Sequence, residues 1–233
     1  EPDLVASCVA AMRAVVSIPV TVKCRIGVDD QDPEQALFEL VEKSAAAGCE
    51  VFIVHARKAW LQGLSPKQNR DIPPLDYDLV YRLKEAHPGL VIIINGGIET
   101  LDQAENHLAF SDGVMLGRAA YKTPYLLADV DARFYGIRTP APSREEVLEK
   151  LLPYAENLVA SGQPLHALTR HLMGLYQAQP GGRLWRRHLS EQAPKAGADT
   201  LVLREAMYEM AARAKRMADT DYVGDGLRDK ESE

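Results

Sequence analysis

Lys23 and Arg25 stand two apart in TVKCRIG (21–27), and His55 and Arg57 stand two apart in FIVHARK (52–58). In each case an apolar β-branched run ends in basic or ionisable side chains that share one face of a strand, because strand side chains alternate between faces. Two further runs exit through glycine, as Asn95-Gly96-Gly97 in INGG and as Gly117-Arg118 in LGR. Glycine removes the side chain where backbone must turn sharply or come close to a ligand. A helix that follows at once turns free N–H groups and its positive dipole end toward the same space. Arg118 adds a fork of donors suited to phosphate. Either glycine motif alone is accounted for by a tight turn with no ligand. Both together, with Lys23 and His55 on the preceding runs, point to a phosphate-bearing cofactor.

A second set of cations suits a larger polyanion. Lys67 and Arg70 lie in SPKQNR (65–70), and Arg183, Arg186 and Arg187 follow two glycines in GGRLWRRH (181–188). Arg183 and Arg186 are three apart and so share a helix face. A basic helix face is ordinarily just solvated, but positive charge at a helix start opposes the dipole, and a bound polyanion would explain its placement there. Arg57 and Lys58 are candidates for the same rim, and Trp60 and Leu61 for the mouth of the site. Cys8, Cys24 and Cys49 have no CxxC spacing, which disfavours zinc and thioredoxin-like chemistry. Cys24 falls on the face opposite Lys23 and reads as sheet–helix packing. His166, His171 and His188 form no metal-ligand pattern, so no metal is expected, and Trp185 reads as a packing residue.

These residues need elements to position them. Apolar runs at 18–27, 50–58, 90–96 and 112–118 alternate with helix-like stretches at 33–48, 75–89 and 101–113. Pro33 and Gly48 are placed to start and stop the first of those helices. The alternation implies βαβ units and a parallel sheet buried on both faces. In such sheets ligands bind at the C-terminal strand ends, where the polar residues converge. Past Arg138, TPAPS (139–143) reads as a linker. Helical periodicity follows through REEVLEKLLPYAENLVASG, PLHALTRHLMGLYQAQPGG, RLWRRHLSE and ADTLVLREAMYEMAARAKRMA, and residues 220–233 read as a disordered polar tail. The expected fold is therefore α/β, followed by a helical bundle, with domains at 1–138 and 144–219.

The 233 residues, 46% hydrophobic with formal charge −6, can build a sizeable core. The mild acidity argues against non-specific coating of nucleic acid but leaves local basic patches possible. No apolar run nears the ~20 residues of a membrane span, and no signal peptide is visible at the start. The odd cysteine count fits a reducing cytoplasm. The chain opens on Glu1 within a helical pattern, which suggests that its true start lies upstream.

VTVKCRIG, FIVHARKAWLQGLSP, NRDIPPLDY, INGGI and DGVMLGRAAY, in that order, resemble the tRNA-dihydrouridine synthase family, in particular its A-type branch acting on D-loop uridines 20/20a. The likeness continues through LTRHLMGLY and GGRLWRRHLSE. It implies an FMN-binding TIM (β/α)8 barrel followed by a helical domain. This chain would hold the last four βα units of that barrel, about its C-terminal half. Lys23, His55, Asn95, Gly96, Gly97, Gly117 and Arg118 would hold FMN. Lys67, Arg70, Arg183 and Arg186 would grip tRNA. The resemblance also implies NADPH-driven reduction of the uracil C5–C6 double bond, with hydride from reduced FMN to C6 and a proton to C5 from a catalytic cysteine. That cysteine belongs to an upstream Asn-x-Gly-Cys-Pro motif absent here, so no catalytic residue is expected in this chain, which alone would be inactive. Half a barrel leaves two unpaired edges and turns Lys23 to water, so poor stability or self-association is expected. Two other readings stay open: a barrel isomerase or aldolase for a small sugar phosphate, and a non-catalytic RNA-binding module.

Overall fold

The computed structural model describes the backbone of residues 1–228 and the side chains of residues 1–217. The chain divides into two compact units, Glu1–Arg118 and Ala119–Glu233.

The first unit is a wound α/β layer. Helix α1 (Pro2–Arg13) leads to β1 (Val22–Arg25), α2 (Pro33–Ala46), β2 (Val51–His55), α3 (Tyr77–Ala86), β3 (Val91–Asn95), α4 (Leu101–Leu108) and β4 (Gly113–Met115). The strands pair in parallel in the order β1-β2-β3-β4. Each strand lies beside the next in sequence, the order of a barrel wall, with no reversal of the kind that defines a dinucleotide-binding sheet. The local reasons are plain in the sequence. VFIVH and VIIIN are β-branched runs suited to a pleated, buried surface. Asp32 and Asp76 cap α2 and α3 by accepting from Gln35 N and Leu79 N.

Register sorts the strand residues into two faces. Cys24, Val54, Ile94 and Val114 align, as do Val22, Phe52 and Ile92. This face meets the helices: Phe52, Val54, Ile92 and Ile94 are fully buried, and so are Leu37, Val41, Leu79, Val80 and Leu83. Each such side chain contributes roughly 1.5–3 kcal/mol by leaving water. The opposite face carries Lys23, Ile53, Ile93 and Gly113 in one row and Arg25, His55, Asn95 and Met115 in the next. Asp112 pins the start of β4 to β3, accepting from Ile92 N at 2.8 Å while pairing with Lys84 at 2.9 Å.

The second unit is helical: α5 (Arg118–Lys122, of which Ala119 onward belongs here), a 3₁₀ segment Pro124–Asp129, α6 (Val130–Phe134), α7 (Arg144–Ala160), α8 (His166–Thr169), α9 (Gly182–Gln192) and α10 (Leu201–Arg228). Its core gathers Leu148, Leu165, Trp185, Leu189 and Leu203. Trp185 is buried and donates Nε1–H to the Leu172 carbonyl at 2.8 Å, so it packs the core as expected and presents no face for a base.

Three sequence expectations differ from this arrangement. The unit boundary falls after Arg118, twenty residues before the expected end of the barrel portion at 138. The stretch 139–143 is no free linker: the Tyr125 hydroxyl donates to Pro142 O at 2.9 Å, Arg144 lies 3.6 Å over the Tyr125 ring, and Ser143 caps α7 in a capping box with Glu146. The helix expected over PLHALTRHLMGLYQAQPGG shortens to His166–Thr169, followed by turns bonded i to i+3, such as His171 N to Leu168 O and Gln177 N to Gly174 O. Gly174 explains the break. A Cβ there would lie 1.9 Å from the Lys122 carbonyl oxygen, so the chain is pressed against another segment's backbone. Of the expected tail, 220–228 continues helix α10, although Gly224 and Gly226 each weaken helix by about 1 kcal/mol relative to alanine; 229–233 lie outside the described residues. No described helix is long and apolar enough to cross a membrane.

Candidate functional site

The C-terminal ends of β1, β2 and β3 bring Arg25, His55 and Asn95 into one register row, and Lys23 reaches into it from the row below. Lys23 is exposed, and its Nζ donates to Asn95 Oδ1 at 3.4 Å. Asn95 is itself oriented by its amide nitrogen, which donates to Met115 O at 2.7 Å. Thus Lys23, His55 and Asn95, singled out in separate motifs, meet at one place.

His55 is half-buried among cations. Its pKa is pushed down from the usual 6.5 to about 4, first by desolvation, then by Arg25, Lys23, Arg57 and Arg118. It is therefore neutral near pH 7 and presents one donor and one acceptor nitrogen. Its Nδ1 is buried with no hydrogen-bond partner in the described residues, and so is Arg57 Nε. Buried nitrogens are rarely left unpaired. Two together at a cationic strand end mark unmet hydrogen-bonding capacity there.

The glycines divide by cause. Gly96 and Gly97 have φ +117° and +68°, and a Cβ on Gly97 would come within 2.7 Å of Leu75 Cδ1 and 3.1 Å of the Tyr77 hydroxyl. Turn geometry and packing by Leu75 and Tyr77 already demand glycine there. Gly117 is different: its backbone is ordinary and a Cβ would meet nothing within 4 Å. Open space, with no steric demand of the fold, lies beside it. The helix after INGGI is also not the bare N-terminus expected. Thr100 and Gln103 form a capping box, and Gln103 Oε1 also accepts from Glu99 N at 2.7 Å. These N–H groups are satisfied within the chain.

Arg118 does not extend its guanidinium freely. It pairs with Asp71 at 2.7 Å and donates to the Arg70 carbonyl at 3.4 Å, although both side chains of the pair keep substantial solvent exposure. An incoming anion would share or displace Asp71. Lys67 and Arg70 are exposed, at the start and end of a short 3₁₀ turn, on one loop after β2. Arg57 and Lys58, expected on the rim, instead hold backbone: Arg57 donates to Pro73 O, and Lys58 Nζ to Gln31 O at 2.6 Å. In the second unit, Arg183 and Arg186 lie in the first turns of α9, whose cap is Gly181 at φ +86°.

Sequence reasoning placed Arg25 on the ligand-facing side of its strand and missed how this loop is built. Arg25 Nη1 donates to the carbonyls of Lys58 and Asn69 at 2.7 and 2.8 Å. Asn69 closes the loop on itself, accepting from Trp60 N at 2.9 Å and donating to Trp60 O. Asp29, at φ +45°, accepts from Leu61 N at 2.7 Å. Tyr77 donates to Gly96 O at 2.6 Å and steadies the glycine turn. The spacing T-x-x-Q at 100–103 and the positions of Asp29 and Tyr77 gave a signal for the cap alone.

None of the cysteines joins the site. Cys24 aligns with Val54 on the helix-facing side, and burial raises its pKa to about 12. Cys49 is buried, its pKa also raised by desolvation, and its thiol donates to Val51 O at 3.3 Å. Cys8 is exposed on α1. Among the described residues no cluster of His, Cys, Asp and Glu could hold a metal. The arrangement is suited to binding an anionic group beside a neutral imidazole and an ammonium.

Comparison with known proteins gives a consistent picture. The sequence model of the dihydrouridine synthase (Dus) family matches residues 1–212. The tRNA-dihydrouridine(20/20a) synthase of Vibrio cholerae serotype O1 is 54% identical over 208 residues, covering 89% of this chain and 64% of that protein. The protein of the same name from Shewanella oneidensis is 56% identical over 206 residues, covering 88% of this chain and 62% of that protein. The chain thus spans a little under two thirds of the length of these relatives. A crystal structure of mandelate oxidase aligns with 92% of this chain and 67% of its own, at 15% identity and a TM-score of 0.31, too low to carry a fold argument.

Proposed function

The chain belongs to the dihydrouridine synthase family, and from that premise we propose that its four-stranded sheet is the C-terminal half of an FMN-binding (β/α)8 barrel, with Ala119 onward a helical tRNA-binding domain. The whole protein reduces a D-loop uridine of tRNA to 5,6-dihydrouridine in the cytoplasm, with NADPH as reductant. The relatives named tRNA-dihydrouridine(20/20a) synthase support this choice of base and polymer.

One observation carries the reading: the half-buried, neutral His55 with an orphaned Nδ1, set among Lys23, Arg25, Arg57 and Arg118. That environment fits a phosphorylated flavin. The anion is matched by the cations, the orphaned nitrogen finds an acceptor or donor, and the open space at Gly117 admits a bulky group. Lys23, His55 and Asn95 would hold the ring system, and Gly96, Gly97, Gly117 and Arg118 the phosphate. Bound FMN supplies hydride chemistry that no side chain offers. The chain's own residues do the rest. Lys23 brings positive charge toward the bound group, and Asn95, fixed by Met115 O, holds the ammonium in place. His55 stays unprotonated through the physiological range. Arg25 shapes the loop that carries Lys67 and Arg70, which meet tRNA phosphates with Arg183 and Arg186. The target base is stacked in folded tRNA and is swung out to react. Proton delivery to C5 is assigned to the family's upstream cysteine: Cys24 and Cys49 lie within the packing, with raised pKa values, and Cys8 sits on α1 and not at a strand end. Strands β1 and β4 each pair on one side only in the described residues, and this chain alone self-associates through those edges and is inactive.

The test is the protein-bound absorbance spectrum after purification with excess FMN, together with nucleoside analysis of dihydrouridine-free tRNA incubated with NADPH. The expected result is a flavin spectrum from this chain, and dihydrouridine only when the upstream half is supplied. A colourless chain that gains neither flavin nor activity with that half present overturns the proposal.

A further inference from the structure

The second unit contains a cavity of about 380 Å³ that the site above does not use. Its polar lining comes from Tyr121 and Lys122 on α5, Arg170, His171 and Gln177 in the turns after α8, and Arg186 on α9. No carboxylate lines it. The hydrogen bonds inside it turn donors toward the space. Arg170 Nε–H donates to His171 Nε2 at 3.0 Å, which leaves the ring proton on Nδ1, facing the Tyr121 oxygen at 3.0 Å. Tyr121 accepts there, and its own proton is free to point into the cavity. Arg186 Nη1 donates to Gln177 Oε1 at 3.2 Å, so the Gln177 amide hydrogens are free as well. Three cations, a hydroxyl and an amide thus converge here; His171 Nε2 and Gln177 Oε1 each take one guanidinium hydrogen, and no anion balances the charge. The position of Lys122 is built in, because its backbone carbonyl is seated against Gly174, where a Cβ would lie 1.9 Å away.

We propose that this cavity binds a phosphodiester of the tRNA backbone, with Lys122, Arg170 and Tyr121 as its direct donors. The inference rests on the tRNA reading above and extends the contact beyond Arg183 and Arg186. Cationic donors with no carboxylate beside them favour a group that carries only acceptors and a full negative charge. Arg186 lies at both the first turns of α9 and the cavity wall, so the cavity continues a surface already assigned to RNA. A polymer is favoured over a free anion because the cavity opens to solvent and Lys122 and Arg170 are exposed; a lone phosphate would be held weakly there.

The experiment measures binding of an unmodified tRNA transcript to the full 233-residue chain across a salt series. Arg170→Gln and Lys122→Gln, both at exposed positions, are each expected to weaken binding about eightfold at 0.1 M salt and to lower the log–log salt slope by about one, the signature of one lost phosphate contact. Tyr121→Phe is expected to weaken binding about threefold with the slope unchanged, since only a neutral donor is lost. Lys150→Gln on α7, away from the cavity, is the control and binds like the parent. Melting curves matching the parent establish that each variant is folded, and Tyr121→Phe, which removes one exposed hydroxyl, keeps the test open should a charge variant fail to fold. If the parent binds tRNA and the cavity variants bind equally well, this inference falls and the functional reading stands. If inorganic phosphate fills the cavity and tRNA does not displace it, the cavity is a small-anion site and the inference falls. If the parent does not bind tRNA, the functional reading falls first and this one with it.

Discussion

Arg25 offers the sharpest structural test, because one side chain holds a loop that its own sequence neighbourhood does not reveal. Its guanidinium donates to two carbonyls, Lys58 O at 2.7 Å and Asn69 O at 2.8 Å. Hydrogen bonds from a charged donor are each worth roughly 1.5–3 kcal/mol, but the freed carbonyls are only part-buried and recover some of that by hydration. The loop-opening free energy should therefore fall by about 2–3 kcal/mol in Arg25→Met, which keeps the apolar stem and removes the fork. Amide hydrogen exchange read by mass spectrometry on peptides spanning 58–70 should accelerate about 30- to 150-fold, while α2 and α3 change far less. Arg25→Lys restores charge without the fork and should recover only part of the protection. Unchanged exchange in 58–70 for Arg25→Met would refute the reasoning, and so would equal acceleration throughout the chain, which would make Arg25 a global rather than a local support.

Three further outcomes follow from the same geometry. Gly174→Ala would place a methyl 1.9 Å from a backbone oxygen that cannot rotate away, so a loss of about 3 kcal/mol or more is expected in urea unfolding; a loss under 1 kcal/mol would show that Lys122 and Gly174 are not in such contact. His55 has a folded pKa of about 4 against an ordinary 6.5, so the unfolded chain binds the extra proton between those values, and stability contributed by the neutral ring is present above pH 6.5 and lost as pH falls toward 4. Because His55 is half-exposed, screening reduces the effect to on the order of 1 kcal/mol; His55→Asn should flatten that part of the pH–stability curve, and an unaltered curve would remove His55 as its source. Charge reversal at Arg183 and Arg186 should weaken tRNA binding by at least tenfold and flatten its salt dependence, whereas an unaltered slope would take both off the RNA surface.

The sheet was readable because a β-branched run of period two and a capped helix announce themselves locally: 50–58 and 90–96 contain β2 and β3, and Asp32, Asp76 and Thr100 stand where helices begin. The convergence of Lys23, His55 and Asn95 followed from alternation plus the rule for parallel strand ends. What was hidden depends on contacts distant in sequence. Arg25 reads as a ligand-facing cation until its carbonyl partners, 33 and 44 residues away, are known. Arg57, Lys58 and Arg118 were read as free donors for the same reason, and each has a protein partner. The boundary after Arg118 was invisible because Tyr125 and Arg144 stack across a proline-rich segment that composition marks as a linker. The capping box at Thr100 and Gln103 was legible and should have warned against a bare helix end.

The central claim is that a phosphate, and not merely a flat ring, is recognised at the strand ends beside Gly117 and Arg118. Parallel titration of FMN and riboflavin into this chain joined to the upstream half that the proposed function gives it measures this directly, since the two ligands differ only by the phosphate. The account predicts that FMN binds at least a hundredfold more tightly than riboflavin and that Arg118→Ala removes most of that difference while leaving riboflavin affinity nearly unchanged. Equal affinities for the two ligands, or a preference for FMN that survives loss of the Arg118 guanidinium, would contradict it.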